Sequence, residues 1–109
     1  MKVNLAQLQQ IFNAMSKDGF DVNGALKWTF YFIDNDKARL EKVYNELKDY
    51  KYVMESVDQD ENGDWTLKVS KIDILDAEKL YRRNLAFNEL ANYTQIKVYD
   101  GWDVERMKN

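Results

Sequence analysis

An α+β fold is what the sequence predicts, on three observations. The run Leu26 to Ile33, Leu-Lys-Trp-Thr-Phe-Tyr-Phe-Ile, alternates as a strand, with Trp28, Phe30 and Phe32 on one face and Lys27, Thr29, Tyr31 and Ile33 on the other. Apolar residues elsewhere recur at helical spacing in three separate stretches. A run of β-formers without helical spacing, Tyr50 to Val57, and an alternating run from Trp65 flank the polar stretch Asp58 to Asp64, which reads as a hairpin.

Taken in order, Asn4 caps a first helix with Gln7 at capping-box spacing, and Leu5, Leu8, Phe12 and Met15 form its apolar stripe. Gly19, after Lys17 and Asp18, stops it. Phe20 to Ala25 is a loop into the aromatic strand, whose large apolar face calls for a central place in a sheet. Asp34, Asn35 and Asp36 offer capping oxygens for a second helix from about Asp36 to Asp49, with Leu40, Val43, Tyr44 and Leu47 at i, i+3, i+4, i+7. Tyr50 to Val57 and the run around Trp65, Leu67 and Val69 are the hairpin strands. Asp76 caps a third helix with the stripe Ala77, Leu80, Phe87 and Ala91. Asn84 interrupts that stripe and is expected near its solvated edge. Ile96 and Val98 then alternate with Lys97 and Tyr99 in a fourth strand running into Asp100, Gly101 and Trp102.

This order is a ferredoxin-like βαββαβ sandwich with an additional N-terminal helix. The chain is expected to be a single domain over residues 1–109, with the extra helix in 1–19 and the ferredoxin-like core in 25–105. Two helices must cover one sheet face. The front helix is expected to shield part of the other face, beside Tyr31 and Ile33.

Composition mostly excludes functions. The 109 residues hold no cysteine and no histidine. Disulfides, thiolate metal sites, cysteine nucleophiles and the Ser/His/Asp triad are therefore out of reach, and the commonest general base is missing. The four glycines are scattered at 19, 24, 63 and 101, so no phosphate loop exists. No apolar run suits a membrane span or a signal peptide, and the expected location is cytoplasmic. A formal charge of -3 and a pI near 5.0 argue against direct nucleic-acid binding. RNA recognition on this fold stacks bases on central-strand aromatics, but Trp65 to Ile72 lacks the glycine and paired aromatics of that signature, and Trp28, Phe30 and Phe32 read as core.

Asp58, Asp60, Asn62 and Gly63 match the start of an EF-hand loop, yet the twelfth position is Val69 and the flanks are strands. A polar turn with positive φ at the Asn62-Gly63 step is expected, with no tightly held metal. Asp100, Asp103 and Glu105 gather near Trp102, but no oxyanion hole or second constellation accompanies them, so neither catalytic residues nor a cofactor are assigned. Gly101 should produce a bulge or tight bend where the strand would otherwise continue, with a return hairpin through Val104 as the lesser alternative.

With Tyr99-Asp100-Gly101-Trp102 closing the chain after the last helix, and Phe30-Tyr31-Phe32, Leu90-Ala91 and Tyr93 in the same order upstream, the sequence resembles the regulator of ribonuclease activity B family over roughly Asp18 to Glu105. The resemblance implies a small non-catalytic protein of ferredoxin-like fold that binds an endoribonuclease of the ribonuclease E type and alters RNA turnover. Known members of that family look longer and more acidic than this chain, which carries 16 basic and 19 acidic residues. An alternative from another class is a stand-alone binding module on the same scaffold, such as an immunity or antitoxin-like protein. In either case the expected interaction residues are Tyr99, Asp100, Gly101, Trp102, Asp103 and Glu105, with the carboxylates suited to a basic partner segment.

Overall fold

In a computed structural model that describes residues 1–107, three helices lie on one four-stranded antiparallel sheet. The elements are α1 (Leu5–Lys17), β1 (Leu26–Asp34), α2 (Lys37–Leu47), a single 3-10 turn (Lys48–Tyr50), β2 (Val53–Gln59), β3 (Trp65–Asp73), α3 (Ala77–Thr94) and β4 (Val98–Glu105). The strand order is β2-β3-β1-β4, so the aromatic strand β1 is central, paired with β3 on one side and β4 on the other.

Each helix begins where a side-chain oxygen can take an otherwise unpaired N–H. Asn4 accepts from Gln7, Asp36 from Ala38 and Asp76 from Lys79. Helix α2 stops at Leu47, two residues earlier than its sequence pattern suggested, because the chain tightens into the 3-10 turn and then reverses at Lys51 with φ 71°. Strand β2 consequently starts at Val53 and not at Tyr50.

The core lies between the helices and one sheet face. Trp28, Phe30, Phe32, Leu67 and Val69 meet Leu40 and Val43 of α2 and Leu80 and Phe87 of α3, all buried. Phe87 is the hub: its ring stands edge-on to Phe30 at 5.0 Å and to Tyr99 at 5.4 Å, and tilts against Phe32 at 5.4 Å.

Two expectations are corrected here. Helix α1 does not shield the Tyr31 and Ile33 face; it lies beside α3 on the side of Trp28, where Phe12 stacks on the Trp28 ring at 5.8 Å. The physical reason is that the apolar stripe of α1, Leu8, Phe12 and Met15, finds apolar partners on the aromatic face, whereas the other face carries Lys27, Thr29, Lys68 and Ser70. Asn84 is not at a solvated edge but fully buried, since its side-chain oxygen accepts a 2.5 Å hydrogen bond from the Tyr99 hydroxyl. Its partner comes from β4, and nothing within α3 announces it.

With all three helices on one side, the other sheet face is open. It carries Lys27, Thr29, Tyr31 and Ile33 of β1 opposite Ile72, Ser70, Lys68 and Thr66 of β3. No helix among the described residues is long and apolar enough to cross a membrane.

Candidate functional site at the fourth strand

Strand β4 runs along one edge of the sheet, and the facing of its side chains is set by one irregularity. Tyr99 pairs with Phe32 and Gly101 with Tyr31, leaving Asp100 as an extra residue in a bulge. Without that insertion a period of two would put Tyr99 on the core face and Trp102 on the open face. The bulge resets the phase, so both aromatics turn inward.

Gly101 makes the bulge possible at φ 108°, a conformation side-chain-bearing residues rarely adopt. Strand β4 then continues to Glu105, which excludes the return hairpin through Val104. The edge is not bare at this point, because Met1 Sδ lies 3.5 Å from where a Cβ of residue 101 would sit. Gly101→Ala is expected to cost about 1–3 kcal/mol, through backbone strain and not through contact, read as a lowered midpoint in thermal denaturation.

The predicted interaction residues divide between two roles. Tyr99 is buried, its hydroxyl committed to Asn84, and burial pushes its pKa up, so it stays a neutral phenol. Trp102 is half-buried and tilts against Trp28 at 5.6 Å, tying β4 to the core. Asp100 is exposed at the bulge. Asp103 and Glu105 are exposed on the open face, opposite Thr29 and Lys27. The fold thus brings Asp103 and Glu105 together on one face, sets Asp100 apart at the bulge, and withdraws Tyr99 into the core.

Sequence reasoning missed the neighbours of these carboxylates. Lys27 Nζ lies 3.1 Å from Glu55 and 3.9 Å from Glu105, joining β1 to both flanks of the sheet. Glu55 sits in a second bulge, between Met54 and Ser56 of β2, and accepts a 2.6 Å hydrogen bond from Ser70 Oγ. That hydrogen bond and the contact with Lys27 hold the Glu55 carboxyl below its ordinary pKa. The Ser70 hydroxyl is thereby committed as a donor to that carboxylate. Tyr31 stands between Lys68, 5.5 Å from its ring centre, and the acids of β4. Desolvation, then Asp103 and Glu105, raise its pKa. The signal available in the sequence is alternation, which puts Lys27 and Tyr31 on the second face of β1.

The hairpin turn is held together by Asp60. In the hairpin turn, Asp60 Oδ1 accepts the N–H groups of Asn62 and Asp64 at 2.8 and 3.0 Å, and Gly63 takes φ 86°. Asp64 is paired with Lys97 Nζ at 2.9 Å. Trp28, Phe30 and Phe32 are fully buried under the helices and offer no platform for bases.

A sequence model of the family described as regulator of ribonuclease activity B matches residues 5–104, from the first residue of α1 almost to the end of β4. The chain belongs to the regulator of ribonuclease activity B family. The match takes in α1 as well as the sheet and the two later helices. It also takes in Tyr99 to Asp103 and stops just short of Glu105. A search of curated proteins gives no match.

Proposed function

We propose that this protein is a non-catalytic cytoplasmic regulator that binds an endoribonuclease of the ribonuclease E type by protein contact and thereby alters RNA turnover. The observation that carries the reading is membership of the regulator of ribonuclease activity B family across nearly the whole chain. The chemistry is in keeping with it. The chain has no histidine or cysteine, and the buried Tyr99 and the stabilised Glu55 are both poor proton carriers. The strand order β2-β3-β1-β4, antiparallel throughout with one helix in each crossover, supports reading the α+β architecture as ferredoxin-like, built as one domain with its core in 25–105.

Docking is placed along β4, where Asp103 and Glu105 on the open face and Asp100 at the bulge present carboxylates to a basic segment of the enzyme. Tyr99, Gly101 and Trp102 set the geometry of that strand. Such a surface repels a phosphate backbone and attracts lysine and arginine, so the protein touches the enzyme and not the RNA.

The test is cleavage of a labelled RNA by a purified ribonuclease E-type endoribonuclease with increasing amounts of the protein. The expected result is a saturable slowing of cleavage, with no cleavage by the protein alone. An unchanged rate at saturating protein, or RNA cleavage by the protein itself, would sink the reading.

A further inference from the structure

At the β2 end of the sheet, three strands away from β4, the 3-10 turn after α2 and the middle of α3 leave a groove of about 400 Å³. Its floor is apolar, made by Leu47, Tyr52, Phe87 and Leu90. Tyr50 stands on its rim with 67 % of its surface exposed, although nothing in the fold requires a tyrosine to be left in water there.

The groove is electrically polarised along its length. At one end Lys71 Nζ and the Arg83 guanidinium lie over the Tyr52 ring, at 5.1 and 5.9 Å from its centre. Both draw on a single carboxylate, Asp73, at 3.8 Å from Lys71 and 3.0 Å from Arg83. One positive charge is therefore left uncompensated at that end. Glu46 stands toward the other end, since it also lines the neighbouring cleft beside Tyr93, Thr94 and Gln95 at the C-terminal end of α3, whereas Arg83 lies in the first half of that helix. Burial pushes the Tyr52 phenol up to about 12, so it remains a neutral donor in the groove wall.

We propose that this groove is a second protein-docking surface, which takes a partner segment presenting one large apolar side chain and, close to it in sequence, a carboxylate. The apolar side chain lies on Leu47, Phe87 and Leu90 beneath Tyr50, and the carboxylate reaches the Arg83 and Lys71 end. Glu46 fixes the direction of the segment by rejecting an acid at the opposite end. The volume fits a few side chains, and the exposed rim tyrosine is of the residue type that anchors interfaces. This surface prefers acidic segments, whereas the β4 face prefers basic ones. The inference therefore stands whether or not the endoribonuclease reading holds.

The experiment is selection of random short displayed peptides on the immobilised parent protein, with counter-selection on Ala86→Glu, which blocks the groove from an exposed helix position. Enriched peptides are expected to pair Trp, Phe or Leu with a nearby Asp or Glu. The tightest of them, made synthetically, should bind about ten-fold more weakly to Tyr50→Ala and to Lys71→Gln, both of which should melt close to the parent. The proposal is overturned by the absence of enrichment, by basic or purely apolar winners, or by winners that bind Ala86→Glu equally well. It is also overturned if sedimentation shows a dimer of the parent that Ala86→Glu dissolves, since the groove would then belong to a second copy of this chain.

Discussion

Trp28→Ala is expected to remove about 3–5 kcal/mol of stability, a large part of the roughly 5–15 kcal/mol that holds a domain of this kind folded. The indole is completely buried and joins three parts of the chain. Phe12 of α1 stacks on it, Trp102 of β4 tilts against it at 5.6 Å, and its Nε1–H donates to the Asp73 carbonyl at 3.2 Å. Truncation leaves a cavity where α1 and β4 both pack against the central strand. Urea denaturation followed by circular dichroism should show the lost stability. Trp102→Ala, at a half-buried position, should cost less. A loss below about 1 kcal/mol for Trp28→Ala would mean that α1 and β4 are held by other contacts.

Tyr99→Phe and Asn84→Leu are each expected to destabilise by about 1–3 kcal/mol, and together to destabilise by much less than their sum. The Tyr99 hydroxyl and the Asn84 side-chain oxygen are buried partners at 2.5 Å, while Asn84 Nδ2 finds no acceptor among the described residues. Removing the hydroxyl alone leaves a buried amide with neither end satisfied, and removing the amide alone strands a buried phenol. Removing both replaces the polar pair by apolar groups of similar shape, which is close to neutral. A double-mutant cycle by thermal denaturation reads the difference directly. Strict additivity would show that the two groups do not depend on each other.

The same pair marks the boundary of what sequence patterning reaches. Local signals placed every helix and strand: the caps at Asn4, Asp36 and Asp76 and the alternation of β1 each depend on residues a few positions apart. Asn84 was misplaced because its partner lies 15 residues away on another element, and a polar residue in an apolar stripe looks like an edge when the partner is unseen. The position of α1 was misjudged for a related reason. Its stripe alone does not say which sheet face it packs on, and the contact that shows it, Phe12 on Trp28, joins two separate elements. Within the candidate site, Gly101 announced a bulge, but which side chains the bulge would turn inward depended on pairing with β1. Buried Asp34 was likewise unforeseen, since its carboxylate takes N–H groups from both Asp36 and Lys97, 63 residues apart from the latter.

The claim that joins family and surface is that Asp100, Asp103 and Glu105 dock an endoribonuclease while the aromatic core beside them only carries the fold. Titration calorimetry with a purified ribonuclease E-type endoribonuclease, on the parent and on the Asp100→Asn, Asp103→Asn, Glu105→Gln variant, tests it most directly. The account predicts saturable binding by the parent, weakened at high salt, and about ten-fold weaker binding by a variant that melts within a degree or so of the parent. Binding of the variant as tight as that of the parent, or no binding by either, would contradict it.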